Sequence, residues 1–272
     1  MFPTLSDLLP WLPPLDTHST FVALGLLAAG GVFLIEKRRR GVTDHRIAYL
    51  VLGALIGAAV LSRLGTWAQH LDPSQNLSLL EQFTRGNASM LSALVGAWLG
   101  VHIAKLICRY PARSGDLFAP AVALAMAIGR IGCLLTEQPG TPTGASWGVV
   151  LDADAAARTG SPAGVPLHPS FAYEIVFHLA AFAVLWFWLR HRPIAAGETL
   201  TLYIAAYAVF RFAVEFVRGN EVAWMGLTRP QLFLLVTIPL LAGRMVWMLR
   251  TGRFRADGGA VTERSVRDEQ HA

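Results

Sequence analysis

Ala127-Ile128-Gly129-Arg130-Ile131-Gly132-Cys133-Leu134-Leu135-Thr136-Glu137, followed by Trp147-Gly148, is the stretch on which the reading of this chain turns. It sits in an apolar run that begins near Leu117 and is long enough to cross a bilayer as a helix. An arginine near the centre of such a helix costs about 2.5–3.5 kcal/mol on translocon scales, so it faces a bundle interior or a water-filled cavity rather than lipid. Gly129 and Gly132 leave the backbone bare beside it, where a neighbouring helix or a ligand can approach. Two readings stand at this point: a structural arginine satisfied by carbonyls, or an anion site.

Composition settles the class. The 272 residues are 54% hydrophobic and only 15% charged, with a mean hydropathy of +0.46. Ordinary soluble domains are about 25% charged, so the chain belongs in a membrane. A net charge of +5 would be compatible with nucleic acid, but the basic residues cluster at the ends of apolar runs, which points away from that partner. The two cysteines, Cys108 and Cys133, imply no disulfide framework. Residues 1–14 lack the basic start and small-residue cleavage site of a removed leader. Their four prolines with Phe2, Leu8, Leu9 and Trp11 suit a short interfacial segment.

Seven apolar segments have spanning length: Thr20–Ile35, Ile47–Ala68, Met90–Cys108, Leu117–Leu135, Phe171–Leu189, Leu200–Val217 and Gln231–Leu249. The expected fold is therefore all-α, a polytopic membrane protein of about seven transmembrane helices. Glu36-Lys37-Arg38-Arg39-Arg40-Gly41 is the strongest cytoplasmic signal. With that run inside, 16 of the 23 lysines and arginines fall on one side, which places the N-terminus outside and the C-terminus inside. A single transmembrane domain over 1–252 is expected, with an outer loop at 138–167 and a charged cytoplasmic tail at 253–272 that is disordered by composition.

The basic residues that do not obey this pattern carry the chemistry. Arg63, Arg130 and Arg211 lie within spans, and Arg218 follows one at the outer face. His168-Pro169-Ser170-Phe171-Ala172-Tyr173-Glu174 opens the fifth span, which places a carboxylate just inside the apolar run. His178 follows Glu174 by four residues and reads more readily as structural than as part of the site. Tyr207, Arg211, Glu215 and Arg218 recur at helical spacing along one stripe, so Glu215 can pair with Arg211 or with Arg218. Such a ladder either only holds the bundle together or carries a positive excess for an anion; the arginine fork suits a phosphate. Arg63 alone reads equally well as a snorkelling residue. Taken together, four arginines facing one or two carboxylates toward the outer leaflet suit a phosphate-bearing lipid headgroup. Gly25, Gly53, Gly57, Gly96 and Gly100 read as close helix contacts.

The ordered set Gly115-Asp116-Leu117-Phe118-Ala119-Pro120, Gly129-Arg130-Ile131-Gly132, Trp147-Gly148, His168-Pro169-Ser170, Tyr173-Glu174, Tyr207, Phe210-Arg211-Phe212, Glu215-Phe216 and Arg218 resembles the bacterial prolipoprotein diacylglyceryl transferases. Met225-Gly226-Leu227-Thr228-Arg229-Pro230-Gln231 is similar to their later helix start, with the glycine before the glutamine replaced. The resemblance implies a multi-pass protein of the bacterial inner membrane. It implies transfer of diacylglycerol from phosphatidylglycerol to the cysteine thiol of a prolipoprotein signal peptide, with release of glycerol phosphate. It further implies that Arg130 and Arg211 bind the headgroup phosphate, with Glu215 orienting them and Arg218 following; the reading of the residues adds Arg63 as a headgroup contact and Gly129, Gly132, Tyr173 and Tyr207 in support. His168 and Glu174 are the candidates for proton transfer beside the catalytic Arg211. No metal or organic cofactor is implied.

This chain departs from the family pattern on the acceptor side. Leu91 stands where the family has the histidine of a His-Gly-Gly motif, a proposed base for the thiol. Cys133 replaces the asparagine after Gly-Arg-x-Gly, and the later glutamate appears as Gln138, with Glu137 one place early. A paralogue that binds or presents anionic lipid, or uses another acceptor, is the competing reading. A transporter fits less well, because the two halves show no matching interrupted helices. Restoring the histidine by Leu91→His, with Ser92→Gly and Ala93→Gly for backbone room, is expected to raise transfer of labelled diacylglycerol to a cysteine peptide. A positioned base contributes roughly a hundredfold to ten-thousandfold; no rise over an already active parent would show that another group takes the proton.

Overall fold

A computed structural model describes residues 1–67, 78–86 and 88–254. Seven of its helices are long and apolar enough to cross a membrane, and the protein is a polytopic all-α membrane protein. The expected end of the second span at Ala68 and the expected disorder of the tail from 255 onward lie outside the described residues.

In order, the helices are α1 (Leu5–Leu8), α2 (Thr17–Arg39), α3 (Ile47–Trp67), α4 (Leu79–Arg85), α5 (Met90–Ile107), α6 (Gly115–Thr136), α7 (Ala153–Thr159), α8 (Ser170–Ala183), α9 (Glu198–Val214) and α10 (Arg229–Arg250). A π-helical turn at Val184–Trp188 and a 3-10 turn at Leu189–His191 extend α8, and a 3-10 turn at Glu215–Val217 extends α9. Each observed span encloses or nearly matches the apolar run that announced it. The first gains most: Asp16 caps α2 by accepting the Ser19 amide at 2.6 Å, which moves the start three residues earlier. That bond holds the Asp16 carboxyl below the usual carboxylate range.

Two small antiparallel hairpins were not foreseen. β1 (Val149–Val150) pairs with β2 (Pro166–Leu167), and β3 (Val222–Trp224) with β4 (Leu227–Thr228). Two-residue strands carry too little alternation to be seen in sequence. The first hairpin brackets α7 and turns residues 138–167 into an ordered loop. Gly140 and His168 make that loop part of the bundle: the Gly140 amide donates to the His168 carbonyl at 2.8 Å and the Thr141 amide to the Val217 carbonyl at 2.9 Å.

The chain divides into two compact units, Met1–Gly41 with Arg113–Ala272, and Val42–Ala112. In the first, α6 is the most enclosed span; Leu117, Ala119, Ala121, Ala123, Met126 and Ala127 are all buried. Ala119 and Ala123 form a core with Leu185 and Tyr203. One end of this unit is fixed by ions. Glu36 pairs with Arg39 at 2.9 Å and Arg190 at 3.1 Å, while Glu198 gathers Arg113 at 2.9 Å, Arg253 at 2.8 Å and Arg244. Asp116, at the start of α6, accepts from the Gly197 amide at 2.9 Å and from the Thr199 hydroxyl.

The second unit is held by glycine. A Cβ at Gly57 would drive into the Gly96 carbonyl, and one at Gly100 into the Gly53 carbonyl, so α3 and α5 touch backbone to backbone. Between apolar helices in lipid this close approach replaces the hydrophobic driving force available in water. Gly57→Val is therefore expected to destabilise the protein by about 1–3 kcal/mol or more, through overpacking. Gly243→Ala, where a Cβ meets nothing within 4 Å, should be neutral or slightly stabilising. Thermal unfolding of the detergent-solubilised variants checks both.

Candidate active site

The Gly-Arg-x-Gly stretch forms the last turns of α6, and Arg130 points inward with 5% of its surface exposed. Across from it α8 begins at Ser170, with Pro169 at the cap position, so Glu174 falls one turn inside and is fully buried. Arg130 Nε lies 2.7 Å from Glu174 Oε2, a close charge contact whose N–H is not aligned as a hydrogen bond. The other carboxylate oxygen accepts from Arg218 Nη1 at 2.6 Å. Glu174 is thus the shared anion of two guanidiniums. Both cations also share one ring: Arg218 lies 4.2 Å and Arg130 5.8 Å from the Phe171 centroid.

The α9 stripe forms, with one change of partner. Arg211, 5% exposed, pairs with Glu215. Arg218 does not pair with Glu215, because the 3-10 turn at Glu215–Val217 overwinds the helix end and sends Arg218 to Glu174 instead. Glu215 turns its remaining oxygen to Asn220 Nδ2 at 2.6 Å and Thr228 Oγ1 at 2.8 Å. Thr228 caps α10 in a capping box with Gln231, so the carboxylate that orients Arg211 is itself fixed by the start of the last span. Arg130, Arg211 and Arg218 against Glu174 and Glu215 leave one formal positive charge in a water-poor site.

An aromatic layer lies behind these charges. Tyr207, 1% exposed, reaches Glu174 Oε2 with its hydroxyl at 3.4 Å, and its ring is 4.7 Å from that of His178. His178 bonds the Tyr203 hydroxyl through Nδ1 at 3.0 Å. Phe177 stacks on Phe210 at 4.3 Å. His168 is half-buried; its Nδ1 is 3.0 Å from the Tyr173 hydroxyl and its ring meets Trp147 edge-on at 5.3 Å. Trp147-Gly148 thus reaches the site through the loop hairpin, where Gly148 holds a φ of 138°.

The two glycines flanking Arg130 differ. A Cβ at Gly132 would stand 3.1 Å from the His18 Cα and from Phe21 Cβ, so this glycine admits α2. One at Gly129 meets nothing within 4 Å. Arg63 belongs to the second unit, where its guanidinium donates to the Gly86 carbonyl, and Leu91 lies in the first turn of α5 in that unit. Asn220 was missed by sequence reasoning because no periodicity reaches it. Thr228 and Gln231 carried a signal, the Thr-x-x-Gln spacing of a capping box, that was read only as part of a motif.

Known proteins resemble this chain along most of its length. The family described as prolipoprotein diacylglyceryl transferase matches residues 10–249. A phosphatidylglycerol–prolipoprotein diacylglyceryl transferase of Bordetella bronchiseptica is 33% identical over 234 residues, covering 81% of this chain and 85% of that protein. The corresponding enzyme of Azotobacter vinelandii is 29% identical over 92% of this chain and 96% of its own. A second such transferase of Clostridium perfringens is 28% identical over 89% of this chain and 94% of its own length. The matched region runs from residue 10 to the end of the last span and includes Arg130, Arg211, Arg218, Glu174 and Glu215; the chain belongs to the prolipoprotein diacylglyceryl transferase family.

Proposed function

We propose that this chain transfers the diacylglyceryl group of phosphatidylglycerol to the cysteine thiol of a prolipoprotein signal peptide, at the outer face of a bacterial inner membrane. The observation that carries the reading is a set of three guanidiniums, two buried and one partly buried, balanced by only two buried carboxylates. In the reaction the acceptor sulfur forms a bond to the glyceryl carbon while the carbon–oxygen bond to phosphate breaks. The electron pair leaves on that oxygen, and the phosphate passes from one negative charge to two as glycerol phosphate departs. A site that already carries a positive excess stabilises the added charge more than it stabilises the bound lipid.

In this proposal Arg130 and Arg211 grip the phosphate and Arg218 adds to the field. Glu215 aims Arg211, and Glu174, with both oxygens engaged by arginines, positions Arg130 and Arg218. His168 takes the acceptor proton; Tyr173 occupies its Nδ1 and leaves Nε2 for the task. The apolar spans and the distribution of lysine and arginine support an N-outside, C-inside orientation, which puts every one of these groups toward the outer leaflet.

Arg130→Ala and Arg211→Ala are each expected to lower transfer by about a hundredfold or more, the usual effect of removing one donor from a developing anion. The assay uses purified protein, phosphatidylglycerol and a cysteine peptide, with a serine peptide as control. Full activity in either variant would remove the assigned role. Retained phosphatidylglycerol binding without any transfer in the parent protein would favour the lipid-presenting paralogue that Leu91 suggests.

His168→Ala is expected to slow transfer at neutral pH by roughly a hundredfold to ten-thousandfold. Its deficit should narrow as pH approaches the free thiol's pKa near 8.5, where the acceptor ionises unaided. Glu174→Gln should lower the rate without that pH dependence, because it acts through the arginines. A parallel pH response of the two variants would overturn the division of roles.

A further inference from the structure

Beside the arginine cluster, in the same unit, three other groups converge. Cys133 Sγ, His18 Nδ1 and a Glu137 carboxylate oxygen lie within 4.8 Å of one another. His18 Nδ1 stands 3.4 Å from Glu137 Oε1 and 3.8 Å from Cys133 Sγ. In a tetrahedral site with bonds of about 2.0–2.3 Å, neighbouring ligand atoms are about 3.3–3.8 Å apart. Two edges of such a site are therefore already present, and the half-exposed Glu137 carboxylate, within 4.8 Å of Cys133 Sγ, supplies the third.

The arrangement does not suit a nucleophilic triad. There the imidazole uses one nitrogen toward the thiol and the other toward the carboxylate. Here the same Nδ1 faces both, which is convergence on a point and not a relay. A thiolate, an imidazole and a carboxylate form the ligand set of zinc-class ions rather than of magnesium or calcium. The two anions would neutralise a divalent cation; because Glu137 is already charged, binding with loss of the Cys133 proton adds one positive charge beside Arg130.

The backbone is built to bring these groups together. Gly132 lets α2 approach α6 at His18, and Asp16 caps the turn that presents His18. The Phe2 amide donates to the Leu135 carbonyl at 2.8 Å, tying the N-terminal hook across the end of α6. His18 and Glu137 are half-exposed, which supplies an entry path, while Cys133 is buried. Arg130 Nη1 is 3.7 Å from Cys133 Sγ, so the site adjoins the phosphate-gripping arginine.

We propose that His18, Cys133 and Glu137 hold one zinc-class divalent cation, with the fourth position open to the acceptor thiolate. The use of that fourth position rests on the transferase reading; the metal site does not. Binding would release the Cys133 proton to water. The acceptor thiol, on coordination, would give its proton to His168 or solvent and remain a nucleophile at neutral pH.

The test begins with full-length protein in detergent, stripped by a chelator and titrated with Co²⁺. One equivalent should bind with a thiolate-to-cobalt charge-transfer absorption and be displaced by Zn²⁺. Cys133→Ala should abolish the band. His18→Ala and Glu137→Gln should weaken binding by more than the roughly ten- to hundredfold that loss of an outer partner costs. Cys108→Ala should bind as the parent does. Unfolding temperatures of the stripped variants, matched to the stripped parent, show that the fold is kept. Absence of the band, or its survival in Cys133→Ala, overturns the site. The second arm compares transfer in stripped and Zn²⁺-loaded protein, with at least a tenfold gain expected on loading. Tight binding with an unchanged rate overturns the thiolate role and leaves the site standing. No transfer in either state is a failure of the transferase reading, and the cobalt titration alone then decides the metal site.

Discussion

Glu174 is the residue on which the site depends. It is wholly enclosed, and an unpaired carboxylate in that position would be untenable in lipid. Arg130 from α6 and Arg218 from beyond α9 each take one of its oxygens, so a single side chain of α8 ties three elements together. Removing one partner of a buried pair typically costs about 3–5 kcal/mol, because the other charge is stranded. The same pairing keeps two guanidiniums within reach of one anion and within reach of each other. Without the carboxylate between them they would repel, and the ready-made fork that the proposed phosphate contact needs would be lost.

The two units solve the association problem of membrane helices differently. Lipid tails are as apolar as leucine, so burial of apolar surface contributes little and other forces must hold helices together. In Val42–Ala112 the answer is proximity: glycines on α3 and α5 let backbone meet backbone. In the unit that contains Arg130 the answer is charge, with Glu36, Asp116 and Glu198 gathering arginines at one end and Glu174 and Glu215 at the other. The second solution is the costlier one to fold. It also leaves charged groups where a polar ligand can compete for them.

Much of this was legible in the sequence, for identifiable reasons. Seven spans could be read because lipid imposes a run of apolar residues that nothing else requires. Arg130, Glu174 and Arg211 stood out because a charge inside such a run is rare. The Arg211–Glu215 pair followed from a four-residue spacing on a helix. The partner of Arg218 did not, because a 3-10 turn changes the angular step and no residue in Glu215-Phe216-Val217 announces it. The meeting of His18 with Cys133 was equally hidden: the two are 115 residues apart, and only the approach of α2 at Gly132 joins them. The boundaries at Gly41 and Ala112 fall in short charged loops of the kind that joins any two spans, so the sequence reads as one continuous domain there.

Helix α6 is fastened by charge at both ends, through Asp116 near its start and Arg130 near its finish, and 61% of its most apolar window is buried against 11% in α2, α3 and α10. Its 22 residues span about 33 Å, close to the hydrocarbon thickness of a bilayer. A helix anchored in this way can neither slide along its axis nor tilt freely. When the surrounding bilayer thickens or thins, the adjustment falls on the peripheral helices and on the lipid itself. The depth at which Arg130 sits is then set by the protein and not by the membrane, and in the proposed reaction a lipid headgroup has to be drawn to that depth for its phosphate to be met.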